Sequence, residues 1–146
     1  MVSNLKWILL TGVLAVVGAA TFPAGDAQAQ EKAASNGRVY ELRTYTTLPG
    51  RLDALNKRFR DHTMKLFEKH GMKNEMYWTP TDEALKDNTL IYIVSHDSAE
   101  AAQKSWAGFR TDPEWIKARD ASEADGKIVA KVVSVYMTKT DFSPGK

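Results

Sequence analysis

Residues 39–51 read V-Y-E-L-R-T-Y-T-T-L-P-G-R, and this stretch decides the fold. Its side chains alternate, with Tyr40 and Leu42 on one face and Glu41, Arg43 and Tyr45 on the other. A period of two indicates a β-strand over residues 39–46. The Pro49-Gly50 step then ends the strand, because proline has no backbone N–H to give to a neighbouring strand.

A helical pattern follows directly over residues 51–70. One narrow arc of the predicted helix, at 100° per residue, contains Leu52, Leu55, Phe59, His62, Leu66 and His70. Charged residues occupy the rest of the surface, so the arc predicts one buried face. Gly71 follows, as is typical of a residue with positive φ after a helix.

The rest of the chain supplies three more strands and a second helical region. We predict strands over residues 72–79, 90–96 and 127–138, with a polar loop over 80–88. A helix is predicted over residues 98–110, with Asp97 as its N-cap and Glu100 completing a capping box. Asp112 and Pro113 predict that a helix starts again there.

The resulting order, β-α-β-β-α-β, is the ferredoxin-like motif, an α+β fold with an antiparallel sheet and helices on one face. No remaining segment covers the other face, so we expect a second copy to cover it and form a dimeric α/β barrel. Tyr40 and Leu42 suit the helix-facing core. Glu41, Arg43 and Tyr45 are therefore predicted to face the dimer interface or a cavity.

The N-terminal residues have the pattern of a secretory signal peptide. Lys6 precedes an apolar run over residues 7–20, and Ala27-Gln28-Ala29 forms an A-x-A cleavage site. The run is shorter than the roughly 20 residues that span a bilayer. We predict cleavage after residue 29, with an uncleaved anchor as the alternative, and hence export to the periplasm or medium with no membrane span left in the mature chain.

The mature chain is predicted to have a flexible leader (30–37), one domain (38–140) and a short tail (141–146). The whole chain has 146 residues, a formal net charge of +2 and no cysteine. It contains no run of Lys and Arg, so nucleic acid is excluded as a partner. Without cysteine there is no disulfide, and the core alone has to stabilise the fold.

Three short motifs resemble the NIPSNAP family. They are Tyr40-Glu41-Leu42-Arg43-Thr44-Tyr45 with Pro49-Gly50, Phe67-Glu68-Lys69-His70-Gly71, and Trp106 and Phe109 with Asp112-Pro113-Glu114-Trp115. The resemblance implies a ferredoxin-like domain that dimerises through its sheets. The wider superfamily includes cofactor-independent monooxygenases, haem-handling proteins and isomerases, but the family itself has no agreed reaction, so the resemblance implies none.

His62 is the most informative candidate for ligand binding, because it is predicted in the middle of an apolar arc. Imidazole titrates near neutral pH and could orient or deprotonate a ligand, whereas the alternative is a core histidine with one hydrogen-bond partner. Glu41, Arg43 and Tyr45 could polarise a ligand or pair across the dimer interface. Tyr77 and Tyr92 are candidate cavity linings, although an aromatic residue in a strand is more often part of the core.

No motif predicts a metal or a cofactor. The histidines lack the spacing of metal ligands, and the chain has no Gly-rich phosphate loop, G-x-S-x-G motif or cysteine nucleophile. We therefore expect neither, and predict a dimer that binds a small, largely apolar molecule in a closed cavity. The alternatives are a non-catalytic interaction module of the cell envelope and a cofactor-independent monooxygenase-like enzyme.

Overall fold

The computed structural model describes residues 37–144. The predicted signal peptide (1–29), the predicted leader apart from Gly37, and the last two residues of the predicted tail lie outside the described residues. Within the described range, no helix is both long and apolar enough to cross a membrane.

Four strands and three helices follow one another along the chain in the predicted order. The strands are β1 (Val39–Thr47), β2 (Lys73–Trp78), β3 (Thr89–His96) and β4 (Val129–Met137). Helix α1 consists of an α-helical part (Leu52–Arg58), a π-helical turn (Phe59–Thr63) and a second α-helical part (Met64–Lys69). Helices α2 (Ala99–Thr111) and α3 (Pro113–Ser122) follow β3 and precede β4 along the chain. The predicted α+β class is confirmed.

The strands form one sheet in the order β2-β3-β1-β4, with each neighbouring pair antiparallel. This order is that of the ferredoxin-like motif, in which β1 and β3 occupy the centre. Strand β4 is therefore an edge strand, and all of its residues are exposed or half-buried.

The helices cover the opposite face of β1 from the one predicted. Glu41 is 0 % exposed and bonds Trp106 of α2, and the Tyr45 ring packs edge-on against Phe59 of α1. Tyr40 and Leu42, predicted to face the helices, are only half-buried on the other side. The prediction assumed that the apolar side chains of β1 face the core, but a carboxylate with enough hydrogen bonds is also stable there.

The uncovered side of the sheet is apolar, and we call it the open face. It comprises Tyr40, Leu42, Met76, Trp78, Ile91, Ile93, Val133 and Val135, which the strand register places on one side. Met76, Trp78, Val133 and Val135 are exposed, Trp78 by 44 % and Val135 by 48 %. A patch of this kind is unusual on a monomeric protein.

The π-helical turn of α1 overturns the predicted position of His62. Its wider turn is closed by a hydrogen bond from the Met64 N–H to the Phe59 carbonyl, five residues back. The extra residue rotates the following part of the helix, so that Thr63 takes the buried position after Phe59 and His62 is exposed. The prediction that His62 lies in the buried arc is wrong, because the 100° periodicity does not hold across this turn.

Side-chain caps define the N-terminal ends of helices α2 and α3. Ser98 caps α2 by accepting a hydrogen bond from the Ala101 N–H at 3.1 Å, so the prediction of Asp97 as the cap is wrong by one residue. Asp112 caps α3 by accepting a hydrogen bond from the Glu114 N–H at 2.8 Å, as predicted. The other oxygen of Asp112 lies 2.6 Å from His70 Nε2, which ties the end of α1 to the start of α3.

The position of the His70 ring requires a residue without a Cβ atom at position 108 of α2. A Cβ atom built on Gly108 of α2 would lie 2.9 Å from His70 Nδ1, which is too close for an undisturbed contact. Because His70 is held by Asp112, its ring cannot move without weakening that hydrogen bond. Gly108 therefore allows α1 and α2 to approach at this point.

We predict that the effect of Gly108→Ala on the free energy of unfolding changes sign with the residue at position 70. In the native background it should lower the free energy of unfolding, because the added methyl group displaces His70 from Asp112. In a His70→Ala background it should raise that free energy by about 1 kcal/mol, the helix-propensity difference between glycine and alanine. Urea unfolding of the four proteins measures both effects, and an equal effect in the two backgrounds would contradict the packing described.

Candidate functional site

A buried carboxylate at Glu41 lies beneath helix α2. Its Oε2 accepts hydrogen bonds from Trp106 Nε1 at 2.6 Å and from His96 Nε2 at 3.2 Å. Its Oε1 accepts hydrogen bonds from Arg43 Nη1 at 2.6 Å and from Ser134 Oγ at 2.5 Å. The four donors come from β1, β3, β4 and α2, so one side chain links the sheet to the helical layer.

These bonds keep the carboxylate ionised. Burial by itself would raise the pKa of Glu41, but the hydrogen bonds, that from His96 foremost, outweigh burial and lower the pKa to about 2. With all four bonds in place, the carboxylate has no free lone pair of good geometry for a proton or a ligand. Glu41 therefore serves as a fixed negative charge that orients Arg43 and His96.

A row of polar and aromatic side chains extends from Glu41 along the same face. Arg43 Nη2 lies 3.4 Å from the Tyr45 hydroxyl, which lies 3.4 Å from the Tyr92 hydroxyl. The Tyr92 ring stacks on that of Tyr77, with centroids 5.1 Å apart and planes 16° from parallel. Burial raises the pKa of both Tyr77 and Tyr92 above the ordinary range, so both hydroxyls stay protonated.

A cavity of about 200 Å³ lies beside Tyr45, the middle residue of this row, between the sheet and helices α1 and α3; we call it the helix-side cavity. Its aromatic lining consists of Tyr45, Phe59, Phe67, Phe109 and Trp115. Val129 and Val132 of β4 form another wall. Its polar lining consists of Arg58, Thr63, Arg119 and Glu123. A mostly apolar cavity with a few polar groups is typical of a small-molecule site.

The π-helical turn shapes this cavity. Phe59 and Thr63, the first and last residues of the turn, both line it. Thr63 Oγ1 donates a hydrogen bond to the Arg58 carbonyl at 3.2 Å, which compensates for the altered backbone pairing in the wider turn. Single π-helical turns within α-helices are frequent at functional sites.

The structure brings five of the six predicted ligand-binding residues together. Glu41, Arg43, Tyr45, Tyr92 and Tyr77 form the continuous row on the helix-covered face. Of the alternatives for Glu41 and Arg43, a pair across a dimer interface is wrong, since the two side chains bond each other within one chain as a structural pair. Of the five, Tyr45 lines the helix-side cavity, whereas Tyr77 lines a groove of about 280 Å³ between α1 and β2.

His62 lies apart from that row. It lines an outer groove of about 260 Å³ between α1 and α3, together with Lys57, Asp61 and Ala118. It is therefore not the polar centre of the helix-side cavity. A role for any of the six residues in ligand binding stays a prediction.

Several residues of the site were not predicted as such. Trp106 and His96 bond Glu41, and Arg58 is buried in the wall of the helix-side cavity. The only signal for Arg58 in the sequence is its spacing of three residues from Leu55, which places a charged residue beside the apolar arc. Trp106 and Glu41 are 65 residues apart, so no local pattern connects them.

Comparison with solved structures gives the same fold. An uncharacterised NIPSNAP-like domain protein from Burkholderia xenovorans has a TM-score of 0.64 at 14 % identity, over 75 % of this chain and 91 % of that one. A NIPSNAP family protein of unknown function from Agrobacterium tumefaciens has a TM-score of 0.62 at 22 % identity, over 75 % and 94 %.

A more distant similarity connects the fold to an enzyme. SnoaB, a cofactor-independent oxygenase from Streptomyces nogalater, has a TM-score of 0.52 at 14 % identity, over 75 % of this chain and 99 % of SnoaB. No curated protein matches the chain in sequence. The profile of the NIPSNAP family matches residues 40–144, which include every strand and helix described above except Val39, the first residue of β1. The chain therefore belongs to the NIPSNAP family.

Proposed function

We propose that this NIPSNAP protein binds a small, largely apolar molecule in the helix-side cavity. The observation that carries the proposal is the cavity itself, with five aromatic side chains and few polar ones in its wall. An engineered apolar cavity of roughly 150 Å³ takes up benzene. The helix-side cavity, at about 200 Å³, is large enough for a single ring with a substituent.

We assign no reaction to this cavity. SnoaB is a cofactor-independent oxygenase, and an oxygenase reaction is the enzymatic alternative for this chain. At 14 % identity the similarity supports a common fold and nothing finer. The fully bonded Glu41 also lacks the free lone pair that a general base needs. Binding is therefore the function that the geometry supports best.

We also propose that a second copy covers the open face. Its eight apolar residues lie side by side across all four strands, and exposing them to water is unfavourable by about 25 cal/mol for each Å² of apolar surface. The same face would suit a different partner protein, which is the interaction-module alternative. A second copy is favoured because a two-fold axis places the same apolar patch on both sides of the interface.

Export is part of the proposal. It is supported by the charge, apolar run and A-x-A site in the first 29 residues. The intact mass of the protein from the envelope or medium should correspond to a chain that starts at Gln30. The mass of the complete chain in the membrane fraction would show an uncleaved anchor instead.

We predict that p-xylene binds the helix-side cavity and that Val132→Phe abolishes its binding. Val132 is on the cavity wall, so a phenyl group there should occupy the space that the ligand needs. Lys131→Phe is the matched control, because it adds the same ring to the next residue on the other face of β4. Titration with p-xylene, followed by the NMR shifts of backbone amides, measures binding to both variants. Unchanged binding in a folded Val132→Phe protein would exclude this cavity.

We predict that the protein sediments as a dimer at micromolar concentration and that Val135→Glu makes it monomeric. The substitution places a charge on the open face beside Leu42, where burial against a second copy would cost several kcal/mol. Ile116→Glu adds the same charge to an exposed apolar residue of α3 and should leave the dimer intact. A monomeric native protein would contradict the proposed assembly.

A further inference from the structure

One charged side chain with unused hydrogen-bonding capacity, that of Arg58, lies between the helix-side cavity and the outer groove and lines both. Arg58 is only 4 % exposed. Its Nη1 donates hydrogen bonds to Ser122 Oγ at 3.1 Å and to Glu123 Oε1 at 3.2 Å. Its Nε is buried and bonds no group among residues 37–144.

The free part of this guanidinium has the shape of an anion-binding group. A guanidinium presents five N–H donors in a rigid plane, and two neighbouring nitrogens match the two oxygens of a carboxylate. Arg58 uses Nη1 for its contacts with α3. In the described part of the chain, the edge formed by Nε and Nη2 makes no hydrogen bond. A buried donor without a partner is unfavourable, because it has lost its hydrogen bonds to water.

The charged residues in the cavity wall also favour an anionic ligand. Its lining includes two cations, Arg58 and Arg119, and one anion, Glu123. The Glu123 side chain is 27 % exposed, so water screens part of its charge. The carboxylate that pairs with Arg119 belongs to Asp120, which lies outside the lining. The cavity wall therefore has an excess of positive charge.

We propose that the helix-side cavity takes a small aromatic monocarboxylate, with its ring among the aromatic side chains and its carboxylate on the Nε edge of Arg58. This inference rests on the proposed function and names the ligand class. An aromatic hydrocarbon would fill the cavity but leave the buried Nε–H without a partner, and a neutral hydroxyl would offer a weaker acceptor than a carboxylate. A cationic ligand would face two guanidinium groups and one partly screened carboxylate.

Three probes of nearly equal shape test the charge preference. They are 4-methylbenzoate, 4-methylbenzyl alcohol and 4-methylbenzylamine, each titrated into the purified protein and followed by NMR shift changes. We expect the carboxylate to bind at least tenfold more tightly than the alcohol, and the amine to bind most weakly. Equal affinities for all three, or a preference for the amine, would overturn the inference.

Variants at two neighbouring arginines assign the preference to one side chain. In Arg58→Met the advantage of the carboxylate over the alcohol should fall below twofold. Arg60→Met removes the same charge from an exposed position of the same helix that does not line the cavity, and should keep the tenfold advantage. A tenfold preference that survives in Arg58→Met would overturn the role of Arg58.

Two further variants decide the question if Arg58→Met does not fold. Arg58→Lys keeps the charge without the planar fork and should reduce the advantage of the carboxylate to an intermediate value. Glu123→Gln removes the anion that competes for Arg58 and should tighten carboxylate binding at least threefold. A full tenfold advantage in Arg58→Lys, or no change in Glu123→Gln, would count against the inference.

The outcome also separates this inference from the proposed function. If p-xylene and the alcohol bind as tightly as the carboxylate, the cavity is a binding site without charge preference, and only the present inference fails. If none of the aromatic probes binds at millimolar concentration, the proposed function fails with it.

Discussion

The rest of the structure depends on the placement of one buried carboxylate, that of Glu41. A carboxylate without partners in a protein interior would take up a proton or destabilise the fold. Glu41 has four donors instead, from two neighbouring strands, its own strand and helix α2. Because side chains alternate along a strand, a slip of β1 by one residue would move Glu41 to the other face and lose these bonds. The network therefore fixes the register of β1 and the face on which the helices pack.

That choice of face determines what each side of the sheet can do. With Glu41, Arg43 and Tyr45 beneath the helices, the polar row passes the helix-side cavity, which Tyr45 lines. The apolar residues of β1, Tyr40 and Leu42, are left on the open face. The polar side chains of β1 are thus enclosed within one chain beside the helix-side cavity, and the apolar surface of the open face is directed outward. The proposed assembly surface and the proposed ligand site are on opposite sides of one sheet.

Much of the architecture was predictable because its signals are local. Strand alternation in residues 39–46, the Pro49-Gly50 turn, and the cap formed by Asp112 and Pro113 each need only a few neighbouring residues. Together with element order, they were enough for the ferredoxin-like topology. The three NIPSNAP-like motifs agree with the family match over residues 40–144.

The errors come from interactions that are not local. Alternation shows that β1 has two faces but not which face is buried. The donors that stabilise the buried Glu41 carboxylate include Trp106, 65 residues away, and Ser134, 93 residues away. His62 was misplaced because a π-helical turn leaves no clear mark in the sequence and shifts every later residue of the helix. Arg58 was missed for a related reason, since burial of an arginine depends on Ser122 and Glu123 of another helix.

The central claim is that Glu41 lies beneath helix α2 and is bonded to the Trp106 indole. Hydrogen exchange of the indole N–H groups, followed by NMR in the monomeric Val135→Glu variant, tests it most directly, with Trp78, which is exposed when the open face is uncovered, as the internal reference. The Trp106 proton should exchange more slowly than that of Trp78 by on the order of a hundredfold, because its release needs a local opening of about 3 kcal/mol. A Trp106 proton that exchanges as fast as that of Trp78 would contradict the burial of Glu41 and the assignment of the two faces.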